Sequence, residues 1–551
     1  MTRRQLAGTV LGAAALVTVL TVAARLAGLG RSLVLARTVG STELASVYQS
    51  VNTVPNIAYE IVAGGVLASL VVPLLARAVA DDDRTHVDRT CSALLTWTVL
   101  TLTPLVLVIV VAAEPITAFL LGLASPDAGD EAAVEVGASM LRVFAPQVVL
   151  YGIGIVLTGI LQAHRRFGAP ALAPLLSSLV VIAAYVTYGA IARDSTELVD
   201  LTNRQELILS VGTTLGVVVL SLSLVPALAR LGLRIRPSLR FPCGVARHVR
   251  SLAYAGMAAL TAQQVSVVVA LLLGNQAFEE AVIVYTQAQS IFLLPWAVLA
   301  VPVATAVYPR LAERWSAGDV VAFRGQLAAS TCLVVALMLG AAAGLVAAAR
   351  PLARVVFEGA PGAASAGSVA SLTAGVIGFA AGLVGYGLFA LLSRAMYAAG
   401  ATAATAFACV GGWAVVVVAD VVLSEALPAG DRVLALALGN SIGMIVLAVA
   451  LLVVVARTAG AAALDGVARI AAAGVVAGIV SALLGRRLES VLRGGGVPDA
   501  LWQGAAVGGL TLLVYAGGVL LVARPTIVLA VATLRGLPED QNRQGTREVD
   551  A

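Results

Sequence analysis

The chain has 551 residues, of which 60% are hydrophobic and 12% charged, with a mean hydropathy of +0.97. Lipid admits only helices and closed barrels as spanning structures, so apolar runs of about 20 residues exclude a soluble globular enzyme and select an all-α polytopic membrane protein. The formal charge of +5 comes wholly from arginine and sits mostly in short loops, which reads as membrane topology rather than nucleic-acid binding.

Fourteen apolar segments follow in chain order, at 6–37, 45–76, 91–113, 134–163, 169–192, 206–229, 251–274, 281–308, 326–349, 367–396, 402–423, 433–456, 466–485 and 501–523. The first follows Thr2, Arg3 and Arg4, and is too long for the apolar core of a secretory signal. With a cytoplasmic N-terminus, arginine fills the inside loops: Arg77, Arg84 and Arg89, then Arg165 and Arg166, then Arg230 to Arg250, then Arg310, Arg314 and Arg324. Segments 114–133 and 275–280 carry acid and no arginine, so they are placed outside, and an even span count puts both termini in the cytoplasm of a plasma-membrane protein. Arg486 and Arg487 run against that trend. The polar tail from Leu537 to Ala551 reads as disordered.

The chain also resembles itself. VVPLLARAVADDDRTHVDR from Val71 matches AVYPRLAERWSAGDVVAFR from Ala306, with Pro73 against Pro309 at an offset of 236. LTGILQAHRRFGAPA from Leu157 matches LLSRAMYAAGATAAT from Leu391, and a turn at Gly40 matches one at Gly274. Two parallel six-helix lobes are therefore expected, residues 1–232 and 233–460, followed by a further helix pair at 461–535 and a tail at 536–551.

Cys91, Cys243, Cys332 and Cys409 are scattered without CxxC spacing and read as small packing residues. His86, His164 and His248 fall in predicted loops and form no HExxH pair, so no metal, cofactor or hydrolytic chemistry is expected. Asp81, Asp82 and Asp83, flanked by arginines, read as a solvated loop.

The polar residues inside apolar segments carry the functional signal. Arg25, Arg31 and Arg37 lie in AARLAGLGRSLVLARTVG, and intramembrane arginine is costly unless it faces a partner or a wet cavity. Arg37, beside Gly40, reads as interfacial. Arg25 and Arg31 are expected to face an internal space, with Gly28 and Gly30 allowing the helix to bend; the alternative is a shorter first span with all three interfacial. A guanidinium matches phosphate geometry, so a diphosphate is the expected guest. Gln49, Asn52, Asn56 and Glu60 stand at helical spacing around Pro55 and form one polar stripe, either a cavity wall or a packed interface. Glu60 serves there as a counter-ion or a titrating group. Gln263 and Gln287 are candidates for sugar or amide contacts, while Arg142, Arg394 and Asp420 are expected to be structurally paired.

AARLAGLGRSLVLARTVG, VPNIAYEIVAGGVLASLVVPLLAR, LPWAVLAVPVATAVYPRLAE and LLSRAMYAAGATA, in that order, resemble the MurJ/MviN family of lipid II flippases within the MOP group of exporters. The similarity runs from about residue 6 to 460, and the third motif together with the absence of lysine resembles an actinobacterial branch. The resemblance implies two six-helix lobes around a cationic cavity, a terminal helix pair that grooves a polyprenyl tail, and outward movement of an undecaprenyl-diphosphate-linked peptidoglycan precursor by alternating access, with membrane lipids and cell-wall synthesis proteins as partners. Arg25 and Arg31 match the family's first-span arginines, and Pro55 and Asn56 its proline-asparagine pair. Tyr59 stands where well-known members carry an arginine, Gly64 replaces a glutamate, and Ser290 and Ser46 replace a further arginine and an acid. A flippase for another polyprenyl-linked glycan and a cation-coupled MOP or MATE-type exporter are the alternatives. A membrane enzyme on polyprenyl phosphates would need paired aspartates or an interfacial acid and base that the chain lacks, and a non-transporting scaffold would tolerate charge reversal at both arginines.

Overall fold

Backbone amides in hydrocarbon must be satisfied within their own segment, and long apolar runs with few breakers do this as helices. The computed structural model describes residues 3–62, 75, 79, 83–122, 130–192, 201–239, 245–361, 366–492 and 494–535, and among these there is no strand. Among the described residues twelve helices are long and apolar enough to cross a membrane, or thirteen when Gly367–Ala380 and Leu383–Ala398, bent by 42°, count as one span. The expected second span accounts for the difference from fourteen: its helix is described to Val62, and most of its continuation to residue 76 lies outside the described residues.

Contacts divide the chain into two units, Met1–Ile283 with Ala360–Ala364, and Val284–Gly359 with Ser365–Ala551. The first unit comprises α1 (Arg3–Thr38), α2 (Glu43–Val62), α3 (Arg84–Val111), α4 (Ala113–Leu120), α5 (Asp130–Phe144), α6 (Gln147–Ala163), α7 (Gly168–Ile191), α8 (Asn203–Leu222), α9 (Val225–Ala229) and α10 (Val245–Asn275). Within it α1 packs on α7, α7 on α8, α3 on α6, and α2 on α5, α6 and α10. A buried apolar cluster built from Leu94, Val156, Leu157, Ile160 and Leu161 joins α3 to α6, and takes in Leu75.

Two local features of this unit depart from expectation. Segment 114–133, read as an outside loop, begins with α4, and Asp130 starts α5. Arg142 on α5 pairs there with Glu114, Nη2 to Oε1 at 2.7 Å, so its expected partner comes from that segment. Gly274 is no turn residue but lies inside α10, and the break follows Asn275. Gly40 does turn the chain, with φ of +83°, a left-handed conformation that costs a residue with a Cβ about 1–2 kcal/mol.

The link after α9 is pinned rather than free. Backbone N–H groups of Arg234, Arg236 and Ser238 donate to Asp88 Oδ1, Ser92 Oγ and Thr96 Oγ1 on α3, at 3.1, 3.0 and 3.0 Å. Acceptors every four residues on the helix meet donors every two residues on an extended chain, since four helical residues and two extended ones both advance about 6–7 Å. Trp97 Nε1 closes the strap by donating to Leu239 O at 3.1 Å.

The second unit begins within α11 (Ala281–Pro295) and continues through a single π turn at Trp296–Ala300 into α12 (Val301–Ser316). It contains α13 (Val320–Phe357), α14 (Ala366–Ala380), α15 (Leu383–Ala398), α16 (Thr402–Ala426), α17 (Arg432–Ala459), α18 (Val467–Val491) and α19 (Val497–Arg535). Here α13 is the long central element, packed on α18 and α19, while α16 and α17 lie side by side. Their approach is close because Gly443 presents no side chain to Val416, a small-residue contact suited to helices in lipid.

One element of the internal repeat is visible in the helix stops. α6 ends with Arg165 N–H to Gln162 O and Arg166 N–H to Leu161 O, and α15 ends with Gly400 N–H to Tyr397 O and Ala401 N–H to Met396 O. Arg165 and Gly400 adopt positive φ, 58° and 78°, in the same pattern. The offset of 235 between these stops falls beside the 236 between the two proline motifs.

Candidate functional site

A membrane-spanning helix rich in small apolar residues has little reason to carry charge, and α1 carries it twice. The apolar part of α1, Val19–Thr38, includes Arg25 and Arg31, and both are exposed. Neither has a hydrogen bond or ion pair with another described residue. α1 runs unbroken through Gly28 and Gly30, where a Cβ would meet open space.

The tyrosines are what inspection of the sequence overlooks. Tyr48 on α2 is fully buried, and its hydroxyl lies 2.7 Å from both Tyr185 Oη on α7 and Thr213 Oγ1 on α8. Thr213 donates in turn to Leu209 O at 2.7 Å, so a continuous polar chain ties three helices together. A buried phenol demands such a partner, which is the one clue the sequence offers, but the partners are 137 and 165 residues away.

One turn further along α2 the predicted polar stripe appears. Asn56 Nδ2 donates to Asn52 O at 2.8 Å, and Asn56 Oδ1 accepts from Tyr151 Oη of α6 at 3.0 Å. Asn52 Oδ1 is buried without a partner among the described residues, and Thr53 Oγ1 donates to Gln49 O at 2.7 Å. Pro55 lies buried inside α2 and lacks the N–H that would close its own turn. Of the stripe, Gln49, Asn52 and Asn56 are half-buried and Glu60 is exposed.

The Glu60 end opens on a cavity of about 380 Å³ within the first unit, bounded by α2, α6, α7 and α8. Tyr59, Glu60, Tyr151, Thr158, Gln162 and Ser221 supply its polar lining. The Tyr59 and Tyr151 rings pack at 4.6 Å between centroids with a 44° tilt. Tyr59 therefore does something specific where an arginine was expected by resemblance: it continues an aromatic wall.

The remaining candidates divide between units. Gln263, half-buried on α10, is in the first, where α10 is tied to α2 by Asn275 Nδ2 donating to Ser50 Oγ at 3.0 Å. Gln287, 4% exposed on α11, is in the second. Arg394 donates to Ala390 O at 2.6 Å and needs no carboxylate. Asp420 corrects the expectation of pairing: it is buried beside Gly439, and its Oδ1 has no hydrogen-bond partner among the described residues. Asp83 accepts from His86 N–H at 3.0 Å as a helix cap, whereas Asp81, Asp82, Gly64, Pro73, Arg77, Arg240, Cys243 and the tail lie outside the described residues. Cys91, Cys332 and Cys409 are buried free thiols, as their packing role requires.

A family description, the lipid II flippase MurJ, matches residues 35–501 of this chain. "Lipid II flippase MurJ" of Burkholderia cenocepacia is 28% identical over 170 residues, covering 30% of this chain and 32% of that protein. "Probable lipid II flippase MurJ" of Haemophilus influenzae is 21% identical over 390 residues, covering 69% of this chain and 74% of that protein. The chain therefore spans about a third of the first relative in alignment and about three quarters of the second. Among solved structures, an inward closed lipid II flippase MurJ superposes with a TM-score of 0.70 at 18% identity, covering 91% of this chain and 98% of that one. An inward-facing multidrug resistance MATE transporter of the MOP superfamily gives 0.64 at 15% identity, covering 84% and 96%. Both structural likenesses speak to the fold.

Proposed function

The chain belongs to the MurJ lipid II flippase family, and from that membership we propose that it carries an undecaprenyl-diphosphate-linked peptidoglycan precursor, lipid II, from the inner to the outer leaflet by alternating access. It works as a transporter and not as an enzyme: no bond of the cargo is made or broken. Both termini lie in the cytoplasm, as the arginine-rich loops prescribe.

The observation that carries this reading is the pair of exposed guanidinium groups, Arg25 and Arg31, on an apolar spanning helix, neither in an ion pair with a described residue. A charge at the helix centre costs about 2.5–3.5 kcal/mol on insertion scales, which a functional anion in a wet space offsets. Guanidinium forks donate two parallel hydrogen bonds to phosphate oxygens, and two of them match the two phosphates of a diphosphate. Their positions six residues apart differ by about 240° around a straight helix, so joint use of both needs the helix to bend, and Gly28 and Gly30 lie between them with open space around each. Gln49, Asn52, Asn56 and Gln263, all in the first unit, offer amides to the polar head group. The expected lobes at 1–232 and 233–460, with the pair at 461–535, supply the moving bodies.

Rescue of a bacterium depleted of its own lipid II flippase tests the assignment. The chain restores growth, and Arg25→Ala with Arg31→Ala does not; failure of the unaltered chain at normal membrane abundance removes the lipid II assignment. A second reading, transport of another polyprenyl-linked glycan, draws on Tyr59, which takes an arginine's place and thins the positive charge.

A further inference from the structure

The cavity beside Glu60 is not cationic, and its character is opposite to that of α1. Among the described residues that line it, Glu60 is the one with a charged side chain, and its carboxylate has no ion pair or hydrogen bond with another described residue. The Tyr59 and Tyr151 rings, 4.6 Å apart, form the adjoining wall, and Gln162 and Thr158 add neutral hydrogen-bonding groups. At about 380 Å³ the space falls in the range of small-ligand sites.

A carboxylate next to aromatic faces attracts a compact cation, by charge and by the ring quadrupoles together. A divalent metal would want several oxygen ligands with more than one negative charge, which a single carboxylate does not supply. An anion is repelled. A primary ammonium fits: one charge for Glu60, donors for Gln162 and Thr158, and an alkyl stem for the apolar remainder of the lining, Ile155 and Leu220.

Tyr151, which lines this cavity, donates its hydroxyl to Asn56 Oδ1 at 3.0 Å, so the cavity adjoins the polar stripe of α2. A guest bearing both a phosphate and an amine finds a carboxylate here and guanidinium groups on α1 of the same unit. The peptide part of a peptidoglycan precursor carries a free primary amine as well as being joined to a diphosphate. Resting on the flippase reading above, we propose that the first-unit cavity between α2, α6 and α7 is a subsite for the primary ammonium group of the cargo's peptide, with Glu60 as its specificity-determining residue.

Binding of two synthetic precursors to the full chain in nanodiscs tests this. One is lipid II with its side-chain amine free, and the other is the same molecule with that amine acetylated. The ratio of their dissociation constants cancels any effect of a variant on fold or on diphosphate contacts. The unaltered chain is expected to prefer the free amine by about 5- to 10-fold, the size of one partly exposed ion pair with a cation–π contact. Glu60→Gln brings the ratio close to one, and Glu60→Asp retains a preference. Equal affinities in the unaltered chain, or a preference that Glu60→Gln leaves intact, overturn the subsite while leaving the flippase reading standing. Failure to bind either precursor overturns both.

Discussion

Asp83 and Asp319 stand 236 positions apart and perform the same act: the Oδ1 of each accepts the backbone N–H three residues on, His86 and Ala322, at 3.0 Å. Their backbone angles nearly coincide, with φ of −77° and −81° and ψ of 79° and 73°. Each begins a long helix, α3 in the first unit and α13 in the second, at the offset by which the proline motifs repeat. Duplicated chemistry predicts duplicated cost. Asp83→Ala and Asp319→Ala should each lose about 1 kcal/mol of stability, and Asp→Ser at either position much less. Thermal unfolding of the four variants in one detergent checks this, and unequal losses would mean that the two caps do different work.

The tyrosine hub predicts a larger effect from a smaller change. Tyr48→Phe keeps the ring against Phe144, whose centroid is 5.8 Å away, and deletes only the hydroxyl shared with Tyr185 and Thr213. The loss leaves a buried hydroxyl short of one partner, costing about 1–3 kcal/mol. A Tyr48→Phe, Tyr185→Phe double variant should cost less than the sum of the two, since neither orphan remains to be penalised.

How much of this was legible in the sequence depends on the range of the interaction. The helices α7, α8, α13 and α16 to α18 follow from apolar run lengths, because their backbone bonds are local, whereas the breaks that divide the expected spans 134–163 and 367–396 into α5 with α6 and α14 with α15 do not. Arg25 and Arg31 were legible as exceptions to composition. The Tyr48 hub and the Tyr59–Tyr151 wall were not, because they join helices whose packing no periodicity specifies. The strap at 233–239 was likewise invisible: LRIRPSLR reads as an ordinary basic loop, and its order comes from Asp88, Ser92 and Thr96 in a helix some 140 residues earlier. Asp420 is the instructive miss, since the rule that buried charge is paired gives the wrong partner count there.

That strap has a measurable consequence. Ser92→Ala with Thr96→Val removes two of its three acceptors on α3. Trypsin cleavage after Arg234 should accelerate by about tenfold, the effect of losing about 1 kcal/mol or slightly more of local order, while the unfolding temperature of the whole chain moves little. Unchanged cleavage would mean that Asp88 and Trp97 hold the segment alone.

Gly40 makes the sharpest steric prediction. Its φ is +83°, and a Cβ built there would overlap the Pro361 carbonyl, which also accepts the Ser41 N–H at 3.0 Å. Gly40→Ala combines left-handed strain of about 1–2 kcal/mol with displacement of that contact. Gly28→Ala, in open space within α1, should not destabilise and serves as the control. If bending at Gly28 and Gly30 is used in transport, Gly28→Ala with Gly30→Ala slows turnover without lowering stability.

Glu280, in the turn before α11, gives the pH dependence. Partial burial, followed by the nearby Glu279 charge, raises its carboxyl above the ordinary 4.5. A raised acid binds its proton more tightly folded than unfolded, so its contribution to stability is present below the ordinary value and is lost as pH rises through the folded one. Glu280→Gln should therefore flatten the fall in unfolding temperature on going from pH 4 upward through that window. An identical slope in both proteins would show that Glu280 does not set it.

The central claim is that Arg25 and Arg31 hold the diphosphate of a lipid-linked precursor while it crosses. Outward exposure of lipid II, read by a probe that reaches only the outer leaflet, is its most direct measurement in cells depleted of their own flippase and supplied with this chain. The account predicts restored exposure with the unaltered chain and loss of it with Arg25→Ala and Arg31→Ala, each variant present in the membrane at normal amount. Full exposure with both arginines replaced by alanine would contradict it.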